Sequence, residues 1–308
     1  MTAAVAITDT ATTALAPDAV TTAAPEPTAS PAARAPRTPQ PTLKARRTFL
    51  GTMRGEWIKL LSLRSTWWVL GSTAGIMTLL ALGVASSLKA LMADPLTAHA
   101  MSNANGAALV SSGFQLGMVT IAVLGALVIT GEYSTGMIRS TFAAVPTRVP
   151  VLAAKAIAVV ALTTGVAAAG IALSYLVTMG TLSKYGLVPA LDRAETWRIF
   201  AGTAFCLIAA ALFSFGVGTL LRSTAATVTV ALTVLLLLPG ILGFINVHWV
   251  QTFVRYLPMP ASQAFLPSGD PNQGVGTPLS ATVGVLVIAA YAIVPLVAAA
   301  VMVRRRDA

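Results

Sequence analysis

Past residue 64 the sequence falls into long apolar runs separated by short polar strips. Residues 65–88 carry no charge; these 24 residues, at 1.5 Å each, reach about 36 Å, enough for a ~30 Å hydrocarbon core. Further runs occupy about 107–130, 151–179, 199–221, 223–245 and 280–303. The fourth is bracketed by Arg198 and Arg222, and the sixth ends at Arg304, Arg305 and Arg306. The pattern predicts six membrane-spanning helices.

The fifth run is interrupted by Pro239 and Gly240. From Ser223 to Leu238 there are 16 residues, about 24 Å of helix, which falls short of ~30 Å. Either the helix continues kinked through Pro239, or it stops and the chain turns back, shielded from lipid by other helices. A broken or re-entrant element is the expectation.

Just before the first run, TMRGEWIKLLSLRS has a polar and an apolar side. In helical projection Thr52, Gly55, Glu56, Lys59 and Ser62 fall on one side, and Met53, Trp57, Ile58, Leu60 and Leu61 on the other. Arg54 and Arg64 can snorkel to the headgroups. This predicts an interfacial helix over 43–64, with Arg54, Glu56, Trp57 and Lys59 as its candidate residues. Residues 1–42 are dominated by Ala, Thr and Pro, too poor in bulky apolar surface to offset ordering, and are expected to be disordered. They lack the basic start and the continuous apolar stretch of a signal peptide.

Composition narrows the function classes. Only 10% of the 308 residues are charged, against about 25% in soluble domains, so lipid is the expected solvent. The net charge of +10 sits in strips flanking the runs, which fits the positive-inside rule rather than nucleic-acid binding. Fifteen of the 20 lysines and arginines fall on the side that holds both termini, which places the termini in the cytoplasm, with 65–303 as the membrane domain and 304–308 as a basic tail. All five tryptophans lie beside predicted span ends, as aromatic belts require.

No P-loop, H-E-x-x-H or G-x-S-x-G motif occurs. With one cysteine and two distant histidines, no disulfide or metal spacing is present. No catalytic residue, metal or cofactor is assigned to the chain. Gln115, Thr163, Ser174 and Ser214 fall within spans. They serve either as interhelical hydrogen-bonding groups or as the lining of a substrate path.

One polar strip stands out. GEYSTGMIRSTFAAVPTRVPVLAAK, residues 131–155, holds one carboxylate, three basic residues, two prolines and two glycines. Connections between packed helices need only about 2–8 residues, so this length suits a docking surface for a cytosolic partner. Together with GEWIKLLSLRSTWW ahead of the first run, it resembles the permease subunits of bacterial ABC-2-type ATP-binding cassette transporters, over about residues 50–305. The matching positions are Glu132, Gly136, Arg139, Pro146, Arg148 and Lys155, with Tyr133 among them. Met137 departs from the small polar residue many relatives carry there.

The resemblance implies an all-α permease in the bacterial cell membrane, exporting a hydrophobic or amphipathic substrate. It implies a separate ATPase subunit that binds ATP and Mg, a second permease copy or homologue, a coupling helix at the 2–3 segment, and re-entrant helices between spans five and six. A membrane-embedded anchor or sensor without transport is the alternative. Glu132 has no basic residue at i+3 or i+4 (Thr135, Gly136), and Arg139 lies about 10.5 Å along a continuous helix. Its charged partner is therefore expected on the ATPase.

Overall fold

The computed structural model describes residues 48–102, 104–137, 148–266 and 279–305. The expected disorder of 1–42, the first residues of the 43–64 segment, and Arg139 and Pro146 lie outside these residues. Among the described residues every regular element is helical, and six helices are long and apolar enough to cross a membrane. The protein is an all-α membrane protein.

Helix α1 spans Phe49–Ser62. Thr48 caps it: its hydroxyl oxygen accepts from the Gly51 N–H at 3.2 Å, a contact worth about 1 kcal/mol. Extended backbone at Leu63 turns the chain into α2, Arg64–Ala93, the first span. Two short helices follow, α3 at Pro95–Ser102 and α4 at Gly106–Val110.

The second span is α5, Phe114–Ser134, and it starts later than the apolar pattern suggests. Ser111, Ser112 and Gly113 form a turn that separates it from α4. The physical reason is close packing, because a Cβ at Gly113 would strike the backbone of Met77 on α2. Gly113 and Gly117, four residues apart, both lie against Met77, whereas a Cβ at Gly71 or Gly75 of α2 would meet nothing within 4 Å.

Helix α6 covers Arg148–Leu182 and α7 covers Ala194–Leu221. Helices α5 and α7 form the centre: about 61% of the apolar window of each is buried, against 17% on the last two spans. Gly125 allows the central pair to touch, since a Cβ there would collide with the carbonyl of Ala211. Without a hydrophobic force between helices in lipid, such small-residue contacts carry the packing.

The fifth span, α8, runs continuously over Thr224–Gly243. The expected break at Pro239 is not found; the helix passes through it. Residues Thr233–Leu237 form a π-helical turn, in which the Leu238 N–H donates to Thr233 O, five residues back. Proline has no N–H and its ring crowds the carbonyl four residues earlier; the widened turn accommodates both. The full 20 residues give about 30 Å, one hydrocarbon thickness.

The re-entrant element lies further on. Helices α9, His248–Val254, and α10, Pro258–Ser262, precede α11, Ala281–Arg305. Pro258 shares a small cavity with Ala209 and Phe213 in the middle of α7, Leu235 on α8 and Tyr291 on α11. The chain thus leaves α8 at Gly243 and dips back to the level of Leu235.

Candidate functional site

The described ends of the 2–3 segment meet at a buried ionic cluster. Glu132 stands in the last turn of α5, and Lys155 stands two turns into α6. Glu56 and Lys59, at i and i+3, share one face of α1. Lys155 is 1% exposed, and its Nζ donates to Glu132 Oε1 at 2.5 Å and to Glu56 Oε2. Glu132, 5% exposed, accepts a second ammonium from Lys59 through the same oxygen. Two carboxylates and two ammoniums compensate each other across three helices.

Why these charges occupy this place follows from the helix ends. A carboxylate in the last turn of α5 opposes the negative end of the helix dipole. Two ammoniums beside it reverse that penalty. A buried lysine facing apolar helices would be costly if alone; here each of its carboxylate partners comes from a different helix. Glu132 Oε2 is buried without a hydrogen-bond partner among the described residues, so the tie is carried entirely through Oε1.

The partner expected for Glu132 on another protein is therefore supplied within the chain. The local argument about i+3 and i+4 was correct and incomplete: the cations come from α1 and α6. On α1 the inward side takes one residue from each foreseen face, Glu56 and Leu60, while Trp57 and Ile58 are exposed. Arg54 is exposed.

Gly136 has a local role. It adopts φ +70°, the left-handed region open to glycine, one residue after the Thr135 cap, and it ends α5. Helix α6 then opens at Arg148. Thirteen residues, 135–147, thus connect two helices whose ends are fixed by one cluster.

A second clasp joins this region to the turn between α7 and α8. That turn consists of Arg222 and Ser223, and Arg222 takes φ 56°, unusual for a residue with a side chain. Its guanidinium lies 5.2 Å from the centre of the Tyr133 ring, a cation–π contact. One turn deeper, the Thr224 hydroxyl donates to Thr130 Oγ1 at 2.8 Å. Arg222 was not singled out as a site residue. Its signal was its position, a lone cation in a two-residue connection between apolar runs.

None of the four polar residues considered for a substrate path lines the groove between α6 and α7. Thr163, Ser174 and Ser214 are fully buried, with hydroxyls that find no partner among the described residues, and Gln115 is half-buried. That groove is lined by their neighbours Thr164 and Tyr175 instead. No group of His, Cys, Asp and Glu side chains among the described residues is arranged to hold a metal ion. No protein-family model matches the chain, and no curated protein matches it significantly.

Proposed function

We propose that the protein is the permease subunit of an exporter driven by a separate ATP-binding cassette ATPase, in the cell membrane of a bacterium. The observation that carries the reading is the anchoring of the 2–3 segment. It is longer than a connector needs to be, and both of its ends are tied through charges to α1 and to each other. The Tyr133–Arg222 and Thr130–Thr224 contacts extend that tie to the α7–α8 turn. A force applied to residues 135–147 would reach α5 and α6 directly, α1 through the cluster, and α7 and α8 through the clasp.

In this reading the ATPase supplies nucleotide chemistry, and this chain supplies the lever and the path. Glu56, Lys59, Glu132 and Lys155 form the rigid base beneath the docking segment rather than its contact surface. The surface itself includes the exposed residues from Ser134 to Met137. Helices α8 and α11 leave most of their apolar surface uncovered, which suits lipid or a second permease copy.

The test is biochemical. The full chain, purified from its native membrane, should carry with it a P-loop ATPase, and reconstitution of the two together should change the rate of MgATP hydrolysis by that ATPase. Recovery of the chain with a kinase or regulator, and no ATPase, would favour the anchoring or sensing alternative and contradict the proposal.

A further inference from the structure

The groove between α6 and α7 has a volume of about 590 Å³, within the ~300–1,000 Å³ range of ligand sites. Its walls are apolar: Thr164, Ala168 and Leu176 on α6, Trp197, Ala201 and Ala204 on α7. From Thr164 to Leu176 is 12 residues, about 18 Å along the helix, close to the ~15 Å of a single leaflet. One end of the groove thus lies near mid-membrane, and the other lies at the α6–α7 connection.

That outer end has a distinct chemistry. Trp197 is held in place by its indole N–H, which donates to Leu191 O at 2.9 Å, and by an edge contact with Phe200 at 6.2 Å. Arg193 is the N-cap residue of α7, two positions after Leu191 of the groove lining, and Arg198 precedes the lining residue Ala201 by three, on the same face of α7. Lys184 stands on the same connection. All three are exposed, and none makes a side-chain ion pair or hydrogen bond among the described residues. Two carboxylates share this end. Glu195 accepts from Asn105 Nδ2 at 2.9 Å, on another element. Asp192 is exposed beside Arg193.

We propose that this groove binds one acyl chain of a glycerophospholipid with an anionic headgroup, the headgroup resting on Arg193 and Arg198. Leaflet-matched depth selects a lipid chain over a longer hydrophobic helix. Unpaired guanidiniums at the mouth, beside a fixed indole, select an anionic headgroup over a zwitterionic one. The site lies at the end of the molecule opposite the ionic cluster, and it stands whether or not the chain transports anything.

The test uses full-length protein that keeps Trp197 as its sole tryptophan, the other four changed to Phe, in phosphatidylcholine vesicles. A minor fraction of the lipid is brominated on its acyl chain, as phosphatidylglycerol in one series and as phosphatidylcholine in the other. Brominated phosphatidylglycerol should quench Trp197 at about tenfold lower fraction than brominated phosphatidylcholine. Arg193→Gln with Arg198→Gln should erase that preference, and Ala168→Leu with Ala201→Leu, at exposed groove positions, should weaken quenching by both. Equal quenching by the two lipids in the parent protein would overturn the anionic assignment. Unchanged quenching in the groove-filled variant would overturn the site, and no quenching by either lipid would show that protein, such as a second copy, covers the groove.

Discussion

Lys155 illustrates how charge is tolerated beside lipid. An ammonium that is 1% exposed is held because two carboxylates from different helices reach it; removing it would strand Glu56 and leave Glu132 with Lys59 alone. Lys155→Met should therefore destabilise the fold by about 3–5 kcal/mol, while Glu56→Leu, Glu132→Leu and Lys155→Met together should cost far less, since the one charge left unpaired, Lys59, is 29% exposed and can turn to water. Thermal unfolding in detergent micelles checks this. A triple variant less stable than the single one would show that the cluster acts through something other than mutual charge compensation. At this scale the sequence marked Glu56, Lys59, Glu132 and Lys155 separately, each as an unusual charge beside an apolar run. It did not show that they meet, because their contacts cross 73 and 99 residues of chain and depend on how α1 folds back onto α6.

Among the elements, span existence was legible from hydropathy, and span ends were set by contacts that hydropathy cannot see. Residues 107–110 are apolar, yet they form a separate short helix because Gly113 must approach the Met77 backbone. Pro239 looked like a terminus and is instead absorbed by a π-helical turn, so a breaker residue there costs the helix its regularity and not its length. Glycine separates into two kinds by the same contacts. Gly125 on α5 lies against the Ala211 carbonyl, while Gly165 on α6 has nothing within 4 Å of a Cβ position. Gly125→Ala should destabilise by about 1–3 kcal/mol through overpacking of the central pair, and Gly165→Ala should be neutral or stabilising by up to about 1 kcal/mol. Folded yield and melting temperature of the two variants in parallel decide it; equal behaviour would contradict the close α5–α7 approach.

At the level of the whole molecule, the ionic cluster and the Arg222 clasp occupy the end where α5 finishes and α6 starts, and the proposed lipid groove opens towards the end where α6 finishes and α7 starts. In the proposed reading, the basic asymmetry of the sequence puts the first of these ends on the cytoplasmic side. The account accordingly puts an ATPase against residues 135–147 and nothing of the kind against the α6–α7 connection. The sequence carries no P-loop of its own; what was legible in it was a polar segment longer than a helix connection needs. The most direct measurement is site-specific photo-crosslinking in the native membrane, with a photoreactive amino acid at Met137, 46% exposed, and a second variant carrying it at Val188, 37% exposed, on the α6–α7 connection. The account predicts that the adduct from Met137 contains a P-loop ATPase and that the adduct from Val188 does not. An ATPase captured from Val188, or none captured from Met137, would contradict it.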